Sequence, residues 1–282
     1  MWITGTDLME LRLHDPADGF YLGTRFDRGG VFDSLRLRGV EFCDRWFERY
    51  DPRMHDAVCG PAEEFSQLGF EQAAPGETFL KIGVGLLRRP DTAPYDRFRL
   101  YEITDPGVWE VSREGEGVRF RHRLEGWYDY SKTVEPCAPA AFLIRHELAA
   151  ERPLDTTVYN HNFFTLGRLE TGPGRLLDFP GAPGGSWRSV YDSVAFAGSG
   201  IRFSRILAPG ESVYSGDVRW GDSYAFTLRE GGLAVHAEGD VPPLHAVFWA
   251  NHRIACIEPY NGVSARPGSP FRWSIKYTLE NE

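Results

Sequence analysis

Three segments place polar side chains inside apolar, strand-like sequence, and these segments are the best candidates for chemistry. In the first, residues 157–164, two asparagines, Asn160 and Asn162, flank His161 between aromatic residues. A histidine titrates near neutral pH and can donate or accept a proton, and neighbouring amides can fix its tautomer. The alternative for His161 is a buried histidine whose ring is satisfied by a backbone carbonyl.

The second segment, residues 254–260, ends an apolar strand with Glu258 followed by Pro259. Partial burial at such a strand end raises the pKa of a carboxylate and makes it a usable base. The alternative is an exposed glutamate where the strand stops.

The third segment, residues 54–65, brings His55, Asp56, Glu63 and Glu64 together beside a Gly-Pro bend. A sugar-binding loop or a site for a hard cation such as calcium would fit these oxygen donors, and so would a solvated acidic loop. We expect no metal here and no cofactor.

Alternation of apolar and polar residues with a period of two recurs along the chain, which indicates strands. Gly- and Pro-rich turns separate the runs, residues 230–232 read as a hairpin connection, and no convincing helical stripe occurs. Short strands with such punctuation predict an all-β sandwich or barrel. The runs lie at residues 9–13, 32–37, 98–103, 118–124, 141–148, 223–228, 233–237, 246–249 and 271–277.

The 282 residues include 14% aromatic residues, 31 glycines and 19 prolines, which suits many short strands. Large β-sandwiches run to about 250 residues as one domain, so we predict a single domain over residues 1–282, with residues 172–200 as a long loop. We expect buried free cysteines in a reducing cytoplasm.

The formal net charge is −9, which argues against a nucleic-acid partner, and a neutral polyol is compatible with it. No apolar run reaches the roughly 18 residues of a membrane span. Residues 1–6 lack the pattern of a signal peptide, so we expect a cytoplasmic protein.

The sequence at residues 160–164, Asn-His-Asn-Phe-Phe, resembles the NHxYF signature of aldose 1-epimerases, the galactose mutarotase-like proteins. Glu258 occupies the place of the family's C-terminal glutamate, ahead of the last strand. Residues 29–39 loosely match the early GGxIxSLxxxG pattern, and Asp222 precedes an aromatic strand as in the family. These matches keep the family's order over about residues 7–279.

The resemblance implies a large, twisted antiparallel β-sandwich with a sugar in a groove across one sheet. It also implies an isomerase in which Glu258 takes the proton of the anomeric hydroxyl and His161 donates one to the ring oxygen, from opposite sides of the C1–O5 unit. The ring would open, rotate and close on the other face, without metal or redox cofactor. The expected partner is a monosaccharide or modified sugar, bound by a monomer or homodimer.

The family's LHGG-like motif, which holds the sugar, is missing, and residues 55–81 stand in its place. We therefore expect a divergent branch with an altered substrate. Two alternatives stay open: a lyase or hydrolase acting on a glycoside or oxidised sugar in the same cleft, and a non-catalytic carbohydrate-binding protein. The expected substrate-binding residues are Arg25, His55, Glu63, Glu64, Lys81, Asn160, Asp222 and Trp249; in particular, Lys81 would replace a lost cation, and Arg25 would reach a hydroxyl pair or an anionic substituent.

Overall fold

The fold, described from a computed structural model, is built from antiparallel strands. The structure describes residues 1–168, 170–179, 192–197, 200–218 and 224–282, and in these ranges the only helices are two 3-10 turns, Pro16–Asp18 and Leu166–Arg168. The strands are β1 Trp2–Gly5, β2 Met9–Leu13, β3 Phe32–Leu37, β4 Val40–Cys43, β5 Gly60–Phe65, β6 Thr78–Lys81, β7 Gly85–Arg88, β8 Ile103–Asp105, β9 Val108–Glu114, β10 Gly117–Leu124, β11 Tyr128–Ala138, β12 Ala141–Ala150, β13 Leu154–Phe163, β14 Leu176–Asp178, β15 Val194–Ala197, β16 Gly200–Phe203, β17 Ser212–Val218, β18 Tyr224–Glu230, β19 Leu233–Gly239, β20 His245–Asn251, β21 Ala255–Ala265 and β22 Phe271–Asn281.

Four sheets form from these strands. The largest has ten strands in the order β15-β16-β14-β18-β19-β22-β12-β11-β10-β9. A five-stranded sheet has the order β17-β20-β21-β13-β5, and smaller sheets are formed by β1 to β4 and by β6 to β8. The resulting all-β sandwich agrees with the predicted fold class.

One face of the ten-stranded sheet is apolar and the other is charged. In β12, Phe142, Ile144 and Leu148 are fully buried, whereas the intervening Arg145 is exposed. The buried face packs against alternate residues of the five-stranded sheet, such as Ile257, in the central core. Because successive side chains of a strand point to opposite faces, the other face of the five-stranded sheet is free to line a site.

Most strands follow the predicted runs, and residues 231–232 form the turn of the β18–β19 hairpin. The prediction at residues 98–103 is wrong, because the strand there covers only Ile103–Asp105 and Phe98 is exposed. The predicted loop at 172–200 contains β14 and β15, and residues 180–191 fall outside the described ranges. All four cysteines are free, and Cys137 is exposed rather than buried.

None of the helical segments in the described ranges is both long enough and apolar enough to span a membrane.

Candidate active site

Two neighbouring strands of the five-stranded sheet, β13 and β21, carry the predicted acid–base pair. The strands are antiparallel, with Tyr159 opposite Tyr260. His161 and Glu258 each lie two residues beyond that pair, so alternation puts them on the same face. This face points away from the ten-stranded sheet, since Ile257 points into the central core.

The side chains of His161 and Glu258 meet, and Cys256 joins them. His161 Nε2 lies 3.0 Å from Glu258 Oε1, and Cys256 Sγ lies 3.4 Å from His161 Nδ1 and 3.5 Å from the same carboxylate oxygen. The His161 ring also stacks on Phe163, with ring centroids 3.7 Å apart. The ring is therefore fixed in orientation, with Nδ1 beside the thiol and Nε2 beside the carboxylate. The mechanism implied by the resemblance puts the two groups on opposite sides of the sugar's C1–O5 unit, whereas here they lie side by side.

Burial changes the proton affinity of every member of this group. It raises the pKa of Glu258 to about 7, with the negative charge of Glu64 acting in the same direction. It lowers the pKa of His161 well below the usual value, and the positive charges of Arg25 and Arg97 add to that effect. Because each shift favours an uncharged form, we expect the pair to hold a single proton near neutral pH.

The pair lies in the wall of a cavity of about 830 Å³, which we call the site cavity. Its volume falls within the range of about 300–1,000 Å³ that is usual for small-molecule sites. The wall is rich in aromatic rings, whose apolar faces suit the C–H-rich face of a sugar ring. Those rings belong to Trp46, Tyr95, Phe98, Phe163, Tyr214, Trp249 and Tyr260.

A group of charged residues centred on Glu64 lies beside the site cavity. Arg25 Nε lies 2.6 Å, Lys81 Nζ 3.5 Å and Arg97 Nε 3.7 Å from the Glu64 carboxylate, and the Tyr159 hydroxyl donates a hydrogen bond to it. Burial alone would raise the pKa of Glu64, but the three cations outweigh burial and hold that pKa at about 2. We call these five residues the Glu64 cluster.

A second charged group is centred on Glu63, on the opposite face of β5. Lys132 Nζ lies 2.6 Å from Glu63 and 3.0 Å from Asp27, while His146 Nε2 and Asn160 Nδ2 each lie 3.1 Å from Glu63 Oε1. All five residues are buried between the five-stranded and ten-stranded sheets. We call them the Glu63 cluster.

The predicted substrate-binding residues separate into those that line the site cavity, those buried behind its wall and those that point away from it. Arg25, His55 and Trp249 line the site cavity. Glu64 and Lys81 are buried behind its wall, next to Arg25.

Glu63 and Asn160 point away from the cavity. Each is adjacent in its strand to a residue that points toward the cavity side, and successive side chains of a strand point to opposite faces. Their polar atoms are bound by other protein groups, so they support the site from within the sandwich. The predicted Asp222 lies outside the described residues.

Sequence reasoning missed several residues of the cavity wall. Residues 95–98 line the site cavity as an irregular segment, and Arg97 binds the hydroxyls of Tyr159 and Tyr260. Strict alternation from His161 would have indicated Tyr159 as a cavity-side residue instead of Asn160. No comparable signal marks residues 95–98.

The donor atoms of His161, Cys256 and Glu258 all lie within 4.8 Å of one another, and nitrogen, sulfur and oxygen together form a donor set that zinc accepts. A single ion could use only one ring nitrogen of His161, and the two have different neighbours. At Glu63 and Glu64, a calcium ion would have to displace Lys132 or Arg25. The absence of a metal stays a prediction.

Comparison with solved structures shows full-length similarity. A GalM/aldose epimerase homologue from C. elegans aligns with a TM-score of 0.58 and 16% identity, over 99% of this chain and 98% of that one. Galactose 1-epimerase from Lactobacillus acidophilus NCFM aligns with a TM-score of 0.51 and 11% identity, over 99% of this chain and 94% of that one. A galactose mutarotase-like protein from Clostridium acetobutylicum aligns with a TM-score of 0.51 and 12% identity, over 99% and 95%. This chain has the galactose mutarotase-like fold.

The mutarotase-like fold thus confirms the architecture that the resemblance implied. Neither protein-family models nor curated proteins give a match to this chain.

Proposed function

We propose that this protein interconverts the anomers of a sugar, as an aldose 1-epimerase does. The observation that carries the proposal is the 3.0 Å contact between His161 Nε2 and Glu258 Oε1 in the wall of an aromatic cavity. The mutarotase-like fold supports it, because proteins with epimerase names share that architecture.

Ring opening of a cyclic sugar moves one proton from the anomeric hydroxyl to the ring oxygen. In the ionised form of the pair, the Glu258 carboxylate accepts the hydroxyl proton while His161 Nε2–H donates to the ring oxygen and the C1–O5 bond breaks. The aldehyde rotates about C1–C2, the ring closes on the other face, and both protons return. The pair ends each turnover with the single proton it began with.

Side-by-side placement of the two groups suits this reaction, because the anomeric and ring oxygens are bonded to the same carbon. The uncharged form of the pair, with the proton on Glu258, is the resting form. Transfer of that proton to His161 Nε2 across the 3.0 Å contact gives the ionised form that the reaction uses. A pKa of about 7 puts Glu258 near the operating pH, which is where a general base works best.

The test is anomer exchange measured by NMR on a panel of aldoses and modified aldoses. Wild type should equilibrate at least one sugar faster than the spontaneous reaction, and Glu258→Gln and His161→Ala should each lose about 10²- to 10⁴-fold, the usual contribution of a positioned acid or base. His236→Ala is the control, since His236 lies in β19 and pairs with Glu280 away from the site cavity.

The proposal fails if wild type and His161→Ala equilibrate every sugar at the same rate. Release of a reducing end or of a conjugated double bond from glycosides would instead favour the hydrolase or lyase alternative. Thermal melting of each variant separates lost chemistry from lost folding.

A further inference from the structure

The Glu64 cluster contains more positive than negative charge. The ion pairs of Arg25, Lys81 and Arg97 among the described residues all end on the one carboxylate of Glu64. Three cations therefore share a single anion in a buried or half-buried setting. Unpaired charge in such a setting is unfavourable, which makes the cluster receptive to a further anion.

The surplus charge is accessible from the site cavity. Both arginines line it, and the Arg97 side chain is 39% exposed. Arg25 binds Glu64 and Tyr159 through Nε and Nη2, and Arg97 uses Nη1 for Tyr159 and Tyr260. Arg25 Nη1 and Arg97 Nη2 have no acceptor among the described residues.

Besides Glu258, which rests uncharged, two carboxylates line the cavity, and neither forms an ion pair with the arginines. Asp96 accepts a hydrogen bond from the backbone N–H of Phe98, and Asp56 lies 4.0 Å from His55. The state of Lys81 agrees with a cation surplus, because burial and then the two arginines, acting against Glu64, lower the pKa of Lys81 to about 8.

We propose that the sugar accepted by this site carries an anionic group, a carboxylate or a phosphate, bound by Arg25 and Arg97. Guanidinium groups suit both anions because their planar N–H donors match the spacing of carboxylate and phosphate oxygens. Under the proposed function, the reacting end of the same sugar would lie at His161 and Glu258. The inference rests on that function for catalysis, but binding of the anionic group does not depend on it.

The experiment compares binding of hexuronates and hexose 6-phosphates with binding of their neutral parent hexoses by isothermal titration calorimetry. Wild type should bind one anionic class at least about tenfold more tightly than its parent, and which class binds distinguishes carboxylate from phosphate. Added NaCl should reduce that preference. Arg97→Gln should lower the anionic-to-neutral ratio about tenfold, whereas Arg97→Lys should retain part of it.

Arg99→Gln is the matched control, since Arg99 is exposed nearby and pairs with Asp91. The ratio of anionic-sugar to neutral-sugar affinity in Arg99→Gln should equal that of wild type. Equal affinity for anionic and neutral sugars in wild type, or an equal drop in ratio in Arg99→Gln and Arg97→Gln, overturns the proposal.

The same panel run in the anomer-exchange assay separates the two claims. Arg97-dependent preference for an anionic sugar without any exchange would refute the proposed reaction and leave the anion site standing. Anomer exchange of neutral hexoses, with no preference for anionic sugars, would support the proposed reaction and refute the anion site.

Discussion

Glu63 and Glu64 are consecutive residues of one strand, yet they belong to opposite kinds of site. Both are fully buried carboxylates whose pKa is held at about 2 by neighbouring positive charge. At Glu63 a single lysine is shared by two carboxylates inside the sandwich, whereas at Glu64 three cations share one carboxylate beside a cavity. Charge balance, more than residue type, therefore distinguishes a closed structural cluster from one that has surplus positive charge beside a cavity.

Lys132→Met should have the largest effect on the Glu63 cluster, because it leaves the buried carboxylates of Glu63 and Asp27 without the lysine ammonium that they share. We expect a loss of about 3–5 kcal/mol in the free energy of unfolding, as for other broken buried ion pairs. Urea denaturation measures it. Lys276→Met, on the exposed face of β22, should change stability by less than about 0.5 kcal/mol. A loss below about 1 kcal/mol for Lys132→Met would mean that the cluster is open to solvent.

Glu64→Gln tests the other side of the comparison. It leaves Arg25, Lys81 and Arg97 without their shared anion, so we expect a loss of about 3 kcal/mol. Sulfate should restore more stability to this variant than to wild type at matched ionic strength, because sulfate can take the place of the carboxylate. Glu63→Gln should show no such extra gain, since Lys132 keeps Asp27. Equal stabilisation of Glu64→Gln and Glu63→Gln by sulfate would contradict the surplus of positive charge assigned to the Glu64 cluster.

Glu258 should follow a pH dependence opposite to that of Glu63 and Glu64. Its pKa rises from 4.5 in the unfolded chain to about 7 in the folded protein, so the folded state keeps a proton that the unfolded state releases. Stability is therefore lost as the pH rises from about 4.5 to about 7, and the full penalty is present above that window. Glu258→Gln removes the penalty and should be about 3 kcal/mol more stable than wild type at pH 8, while losing activity.

Wild type and Glu258→Gln should converge in stability near pH 5, as urea titrations at pH 5 and pH 8 would show. Greater stability of wild type at pH 8 would contradict the burial assigned to this carboxylate. For Glu63 and Glu64, whose pKa values are lowered, stability is instead lost as the pH falls below about 4.5 towards 2.

Cys256 should give the smallest effect. Its thiol contacts both His161 Nδ1 and Glu258 Oε1, so Cys256→Ala removes a neighbour that helps to orient the ring. We expect a loss of up to about tenfold in kcat/KM, about 1.4 kcal/mol or less, with a shifted pH profile, and partial recovery in Cys256→Ser. Cys59→Ala, a buried cysteine in the central core, should lower stability but leave the pH profile unchanged. Identical profiles for both alanine variants would rule out a positioning role.

The meeting of His161 with Glu258 could be predicted only through the resemblance to aldose 1-epimerases, because each residue alone is explained equally well by a buried histidine or by a glutamate at a strand end. The all-β fold could be predicted because period-two alternation is a local property of the chain. Asn160, predicted from the sequence to bind substrate, points away from the cavity, because a strand that points His161 into the cavity must point its neighbour to the other face.

The charged clusters could not be predicted, because they depend on which distant strands meet. Lys132 and His146 look like ordinary polar positions of β11 and β12, and only sheet packing brings both to Glu63. Glu63 and Glu64 were expected in a loop, where neighbouring carboxylates can act together, but in β5 they are separated by the sheet itself. Arg97 lies in an irregular segment, and no periodic pattern reveals which way its side chain points.

The pairing of β13 with β5 and β21 has a consequence for how the candidate site assembles during folding. These strands are about a hundred residues apart along the chain, so His161, Glu258 and Glu64 come together only when long-range sheet pairing is complete. Chains dominated by such non-local pairing fold slowly, on a timescale of about milliseconds to seconds or longer. The proposed activity should therefore emerge late in refolding, after most strand structure has formed, and a fragment that lacks one of the three strands should not have it.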